Sequence, residues 1–178
     1  IKFKYADAMV QPSENVGTIA AQSMGEPATQ MSVAFNTQIL LGQSDSDKTD
    51  GPTVIKRTTI GEFIDTLMRK NKDLTYDVPN HTNSKETNVN RMDTNYYVMS
   101  VNDKETNSWT KISHVSKHPP NGGMIKVTTQ SGRVVTSTLS HNFLKKNMNK
   151  VDAVTADQIM VGDRIPVCKV MTRAETHT

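Results

Sequence analysis

The sequence predicts a mainly β domain of short strands with one or two short helices, preceded by a separate helical segment. Three observations predict it. Residues 96–138 carry strand patterns in quick succession, broken by turns rich in Asn, Pro and Gly. A single amphipathic stretch with helical spacing stands at 60–70. The character of the chain also changes at the Met31–Ser32 bond, where an alanine-rich helical pattern gives way to strands and polar loops.

Taken in order, the chain opens with a mixed apolar and basic run, Ile1-Lys-Phe-Lys-Tyr5. Pro12-Ser13-Glu14 reads as a helix start, because Ser13 can cap and Glu14 suits the positive end of a helix. Val16, Ile19, Ala20 and Met24 form a narrow apolar stripe, and Gly25 and Pro27 stop it. A strand is expected over 36–41, then a loop in the following ten polar residues. Thr59-Ile-Gly-Glu62 has capping-box spacing, and Ile60, Phe63, Ile64, Leu67 and Met68 fall on one helical face. Residues 71–94, dominated by Asn, Thr, Lys and Asp, read as a long flexible loop. Strands then follow at 96–101, at 109–115 as one alternating run, and at 124–129 and 133–138 as a hairpin across Gln130-Ser-Gly132. Thr155-Ala-Asp-Gln158 opens a helical turn, and Val161-Gly-Asp-Arg-Ile-Pro-Val167 is a turn into a final strand.

Composition narrows the function. The hydrophobic fraction, 35%, is low, so the core must be economical. The 21 basic and 18 acidic residues leave +3, too weak for nucleic-acid binding by bulk charge. The single cysteine, Cys168, excludes an internal disulfide and a cysteine-based zinc site, and fits a reducing compartment. No apolar run approaches a membrane span, and Ile1 begins no signal-peptide pattern. Without an initiator methionine, the sequence is expected to be a fragment of something longer.

Val16-Gly-Thr-Ile-Ala-Ala-Gln-Ser-Met-Gly-Glu-Pro-Ala-Thr-Gln-Met31 resembles the trigger-loop region of the largest subunit of multisubunit DNA-directed RNA polymerase. Alanine at position 28 is more like polymerase II. In that family the segment folds over the incoming nucleotide, and the resemblance implies that Gln30 contacts the ribose. The family continues with Thr-Leu-Asn-Thr-Phe-His, whereas this chain continues Ser-Val-Ala-Phe-Asn-Thr-Gln-Ile-Leu-Leu41. A lid that must close on substrate cannot carry a foreign domain in its middle. Either the host is dead or the insert is removed.

The part after the break resembles the Hint (Hedgehog/intein) fold, the splicing domain of inteins. The pieces that carry it are Thr-Gln-Ile-Leu40, Ile-Gly-Glu-Phe-Ile-Asp65, Tyr-Val-Met-Ser-Val101, Trp109 with its strand, the run from Lys126 to His141, and Val161-Gly-Asp-Arg-Ile-Pro166. The resemblance divides the chain into an upstream host segment, 1–31, the N-terminal part of a splicing domain, 32–171, and an undetermined tail, 172–178. It implies that Ser32 is the nucleophile and Met31 the scissile carbonyl, the Ser32 oxygen replacing the amide nitrogen in an N–O acyl shift. Through the family's Thr-x-x-His motif, it implies that Thr138 orients the Ser32 amide and that His141 donates a proton to its nitrogen. As a bare pattern Thr-x-x-His is common, and His81, His114, His118 and His177 read as solvated or structural.

A second register would make Ala34 the first residue of the insert, and so a disabled one. Ser32 is preferred because Asn36-Thr37 then falls where the family places Asp-Thr, at its fifth and sixth positions. The resemblance implies no cofactor and no metal for splicing, and Mg for the host polymerase outside these residues. Implied partners are the remaining C-terminal part of the intein, in cis or in trans, and for the spliced host the other polymerase subunits, DNA and RNA, with no membrane. A eukaryotic host implies the nucleus, any other the cytoplasm. The alternatives are a defunct, purely structural insertion and a Hedgehog-like autoprocessing domain.

Overall fold

The computed structural model describes residues 2–6, 32–47, 51–101, 106–119 and 122–166. The helix expected from Ser13, the residues Gln30 and Met31, and the stretch from Val167 to Thr178 lie outside the described residues. Mainly β is what folds: among the described residues there are short strands with one α-helix and three short 3-10 turns.

The chain builds two hydrophobic centres. The first forms around α1 (Ile60–Lys70). Thr59 caps this helix: its hydroxyl accepts from the Glu62 N–H at 3.2 Å and donates to the Glu62 carboxylate at 2.9 Å. At the other end the Asn71 N–H and side-chain amide both donate to the Leu67 carbonyl. Phe63, Ile64 and Leu67 are buried on one face and meet Leu41, Val89 and Val115. Leu41 belongs to β2 (Gln38–Asp45), an interior strand of a four-stranded sheet with β3 (Val54–Thr59), β6 (Thr94–Val101) and β7 (Asn107–Lys111), in the order β3-β2-β6-β7. Leu40, Leu41 and Gly42 are buried in succession, as expected of a strand covered on both faces. Gly42 is required there, since a Cβ would stand 2.6 Å from Pro52 Cβ.

Beside this sheet lie β4 (Thr75–Asp77), β5 (Lys85–Asn88) and β8 (His114–Lys117), in the order β4-β5-β8. This corrects the long loop expected at 71–94. The strands there are polar, and they pair through side chains as well as backbone. The Thr75 and Thr87 hydroxyls lie 2.8 Å apart, with Thr87 fully buried. The run 109–115 is likewise two strands. β7 pairs with β6 and β8 with β5, so the chain changes sheets at Ile112-Ser113. The loop expected after residue 41 begins later, because β2 continues to Asp45.

The second centre forms under β9 (Met124–Thr129) and β10 (Val134–Thr138). Their hairpin turns at Gly132, whose φ of 84° suits glycine. The backbone of β1 (Lys2–Ala6) runs parallel to β9 on its other edge. A further hairpin, β11 (Asn142–Asn147) with β12 (Lys150–Thr155), was not apparent in the sequence. Ile125, Val127, Val135, Phe143, Ala156, Ile159 and Ile165 fill this core. The strand that the turn at Val161 was expected to lead into lies outside the described residues, whereas the turn itself is present and is followed by a bridge between Lys146 and Arg164. A half-buried Lys145–Asp163 ion pair at 2.7 Å stands beside it.

Candidate functional site

The site sits where the chain after residue 31 runs along β10. Val33 forms an antiparallel bridge with Ser137, and the Ala34 N–H donates to the Thr136 carbonyl at 2.7 Å. Residues 32–34 therefore act as a short extra strand on β10. That pairing brings Ser32 to Thr138. The Ser32 N–H donates to Thr138 Oγ1 at 3.1 Å, and the Thr138 N–H donates to the Ser32 carbonyl at 2.9 Å. The Thr138 hydroxyl also lies 3.4 Å from the Ser32 carbonyl and can donate to it. One threonine thus holds both polar ends of residue 32.

Thr138 is also the first residue of a turn. Its carbonyl accepts from the His141 N–H at 3.2 Å, so Leu139 and Ser140 form the corner and His141 returns to the start of β11. The short helical turn Ala156–Gln158 pins this corner from behind. The Ala156 N–H donates to the His141 carbonyl at 2.8 Å, and the Asp157 N–H to the Leu139 carbonyl at 3.3 Å. These are amides at a helix start with no partner in their own turn, and here the site loop supplies one. The sequence showed the helical turn but gave no sign that it braces the motif.

His141 is buried, and its ring meets Phe143 edge-on with centroids 5.5 Å apart. Neither ring nitrogen has a hydrogen-bond partner among the described residues. Burial disfavours the charged ring and lowers its pKa from 6.5 to about 4, so the imidazole is neutral at pH 7. A buried imidazole without partners is costly to keep. It is chemically useful only where a reacting group can meet it.

The structure therefore brings Ser32 and Thr138 into direct contact and sets His141 three residues further on in the same turn. Gln30 and the Met31 carbonyl lie outside the described residues. Two further hydroxyls lie close by in the chain. Ser137, fully buried, donates to the Thr138 carbonyl at 3.1 Å, and Thr37 Oγ1 is buried without a partner among the described residues. No periodicity marked Ser137, whose neighbours alternate as any strand does. Of the other histidines, His118 holds the Pro119 carbonyl through Nδ1 at 2.8 Å. Among the described residues no three His, Cys, Asp or Glu side chains gather as a metal site would require. A shallow cleft of about 480 Å³ lies by α1 and β8, lined in part by Asp65, Lys117 and His118, and shares no residue with this site.

Comparison with known proteins identifies two kinds of relative. The family model described as RNA polymerase Rpb1, domain 5, matches residues 1–177. The DNA-directed RNA polymerase subunit Rpo1C of Methanocaldococcus jannaschii is 33% identical over 165 residues, 93% of this chain and 17% of that protein. A DNA polymerase of the same organism is 32% identical over 126 residues, 69% of this chain and 7% of that protein. The chain thus spans a small part of the curated relatives it matches. Among solved structures, the KlbA intein precursor of Methanococcus jannaschii superimposes with a TM-score of 0.57 at 23% identity, covering 80% of this chain and 67% of that one. The transcription factor IIB Mvu mini-intein gives 0.56 at 21% identity, covering 74% and 65%. At these identities the likeness is one of fold.

Proposed function

We propose, of a chain that belongs to the RNA polymerase Rpb1, domain 5, family and carries an intein fold, that residues 32–171 are the N-terminal part of a splicing domain set inside a polymerase largest subunit. In this reading the domain opens the Met31–Ser32 bond by an N–O acyl shift. One finding supports an insertion. The match to a DNA polymerase runs over 126 residues, so it must extend well beyond the 31-residue upstream segment. Two polymerases that make different products, RNA in one and DNA in the other, sharing such a stretch fits a domain that moves between hosts.

The observation that carries the chemistry is the Ser32 N–H held by Thr138 Oγ1 at 3.1 Å, one turn from a buried His141 whose ring has no partner among the described residues. Ser32 Oγ attacks the Met31 carbonyl carbon. A C–O bond forms, the C–N bond breaks, and the hydroxyl proton ends on the Ser32 nitrogen, which leaves as an amine. The amide nitrogen is a poor leaving group, so its protonation must accompany the break. His141 serves this transfer. With a pKa of about 4 its ring is neutral at pH 7, free to take the hydroxyl proton at one nitrogen and yield a proton to the departing nitrogen. Thr138 holds the amide in place while this happens.

The ester is less stable than the amide, so the step runs forward only when something consumes it. In splicing that is the second nucleophile, for which the polymerase motif supplies threonine, followed by release of the insert through a C-terminal asparagine in cis or in trans. The spliced host then regains an unbroken nucleotide-closing segment with Gln30 on the ribose, and acts with its other subunits, DNA, RNA and its own Mg. In the full-length protein, hydroxylamine should trap the ester and release a fragment ending at Met31. Cleavage that persists in Ser32→Ala, or that is absent from the parent, would sink the proposal and leave a structural insertion.

A further inference from the structure

Phe35 stands three residues beyond Ser32 and is 52% exposed, yet its ring packs closely against α1. The Thr37 N–H donates to the Ala34 carbonyl at 2.9 Å, which makes Phe35 and Asn36 the corner of a turn. The carbonyls of that turn cap α1. Gly61 N–H donates to the Phe35 carbonyl and Ile60 N–H to the Thr37 carbonyl, each at 2.9 Å. With Thr59 on Glu62, three of the helix's four orphan amides are thereby satisfied. The Phe35 ring lies directly on Gly61. A Cβ there would fall 2.1 Å from Phe35 Cδ2 and 2.2 Å from Cγ. Lys117, ion-paired to Asp65 of α1 at 2.6 Å, places its ammonium 5.9 Å from the ring centroid.

Residues 32–34 are thus bonded to β10 over the second core, while residues 35–37 are bonded to α1 over the first. We infer that Phe35 is a positioning residue: its ring, seated on Gly61, latches the turn after Ser32 to the helix and so fixes the register of Ser32 against Thr138. The inference rests on Ser32 being the reacting residue. Without the ring, the turn keeps two backbone bonds but loses the contact that fixes its angle, and the short pairing of 32–34 on β10 can shift. Reactions that depend on near-attack geometry lose rate steeply for displacements of about 1 Å. Gly61 is required for the same reason, which explains a glycine at the second position of a helix that would otherwise favour alanine.

The test is a double-mutant cycle in the full-length protein, scored by hydroxylamine-trapped cleavage at Met31–Ser32 under conditions where every variant is folded by circular dichroism. Phe35→Ala and Gly61→Ala should each slow cleavage roughly tenfold or more. Phe35→Tyr, which keeps the ring, should stay within about twofold of the parent. In the Phe35→Ala background, Gly61→Ala should cost nothing further, because there is no ring to displace. Parental rates in Phe35→Ala, failure of Phe35→Tyr to rescue, or a Gly61→Ala cost undiminished without the ring would each overturn the latch. Hydrogen exchange of the 32–37 amides separates this inference from the reading it rests on. If the parent forms no ester, the acyl shift is wrong, and faster exchange in Phe35→Ala still supports the latch while unchanged exchange refutes it.

Discussion

Replacing Thr138 by valine tests the chemistry at its best-defined contact. The substitution keeps the shape of a side chain that is 1% exposed and removes its hydroxyl. Two contacts with Ser32 go with it, the 3.1 Å bond from the Ser32 N–H and the 3.4 Å contact to the Ser32 carbonyl. The carbonyl keeps the Thr138 N–H at 2.9 Å, so it stays satisfied. The Ser32 N–H does not, and a partly buried donor left unpaired costs about 1–3 kcal/mol. Stability should fall by about that amount. The rate falls only by the part of the bond that strengthens as the amide becomes an amine, since interactions equal in ground and transition state do not accelerate the step. A loss of about tenfold to a hundredfold, equivalent to roughly 1.4–2.7 kcal/mol, is expected. The assay is single-turnover cleavage at Met31–Ser32 with hydroxylamine, alongside a denaturant titration of the same variant. A valine variant that is destabilised as predicted but reacts within twofold of the parent would show that Thr138 holds the strand without assisting the break.

The remaining predictions concern pH and packing. His141 titrates at about 4 when folded and 6.5 in its ordinary state, so between these values the unfolded chain binds more protons and stability rises with pH. Its contribution is complete above about pH 6.5 and is lost as pH falls towards about 4. At 1.36 kcal/mol per pH unit, up to about 3 kcal/mol is at stake. Denaturant titrations from pH 7 to 4 should show this slope in the parent and a flatter one in His141→Leu, with parallel slopes counting against burial of the ring. Cleavage should hold steady above about pH 5 and fall below it, whereas a rate that peaks near pH 4 and declines above it would mean that imidazolium is the active form. Gly42→Ala places a methyl 2.6 Å from the Pro52 ring and should lower stability by about 1–3 kcal/mol, read as an earlier denaturation midpoint, with no change expected only if the 51–53 loop swings away freely. Thr59→Ala removes both arms of the α1 cap and should cost about 1 kcal/mol, visible as faster exchange of the Glu62 amide.

What could be read from the chain depended on whether local chemistry matched local structure. α1 was legible to the residue, because Thr59 and Glu62 announce its start and Phe63, Ile64 and Leu67 repeat at helical spacing over a contiguous core. The strands β4 and β5 were not. Thr75, Thr87 and Lys85 carry no apolar alternation, and their sheet is held by hydroxyl pairing and by exposed pairs such as Lys85–Asp77. The run 109–115 misled for the opposite reason. Its alternation is continuous, and nothing in Ile112-Ser113 signals that the partner strand changes there. β11 and β12 turn through Met148 and Asn149 with Met148 at a φ of 52°, where a hairpin would ordinarily advertise glycine or asparagine.

The site residues were named by resemblance, and the reason they could not be named by pattern lies in how the site is made. Thr138 and His141 are close in sequence, but the turn between them is ordinary, and its rigidity comes from Ala156 and Asp157, which follow a whole hairpin later. Ser32 reaches Thr138 across 106 positions, through a pairing of only three residues that has no strand signature of its own. Such a short pairing contributes little stability by itself, so its register must be set by what flanks it. On the downstream side that is the turn at Phe35 and the amides of α1. The two hydrophobic centres are therefore linked through residues 32–37: one carries Thr138 and His141, and the other holds the turn that follows Ser32. On the proposed acyl shift, a substitution in α1 that leaves every residue of the motif intact is expected to slow the bond break. The first such substitution to examine is at Gly61, because the added methyl has no space that the Phe35 ring does not already fill.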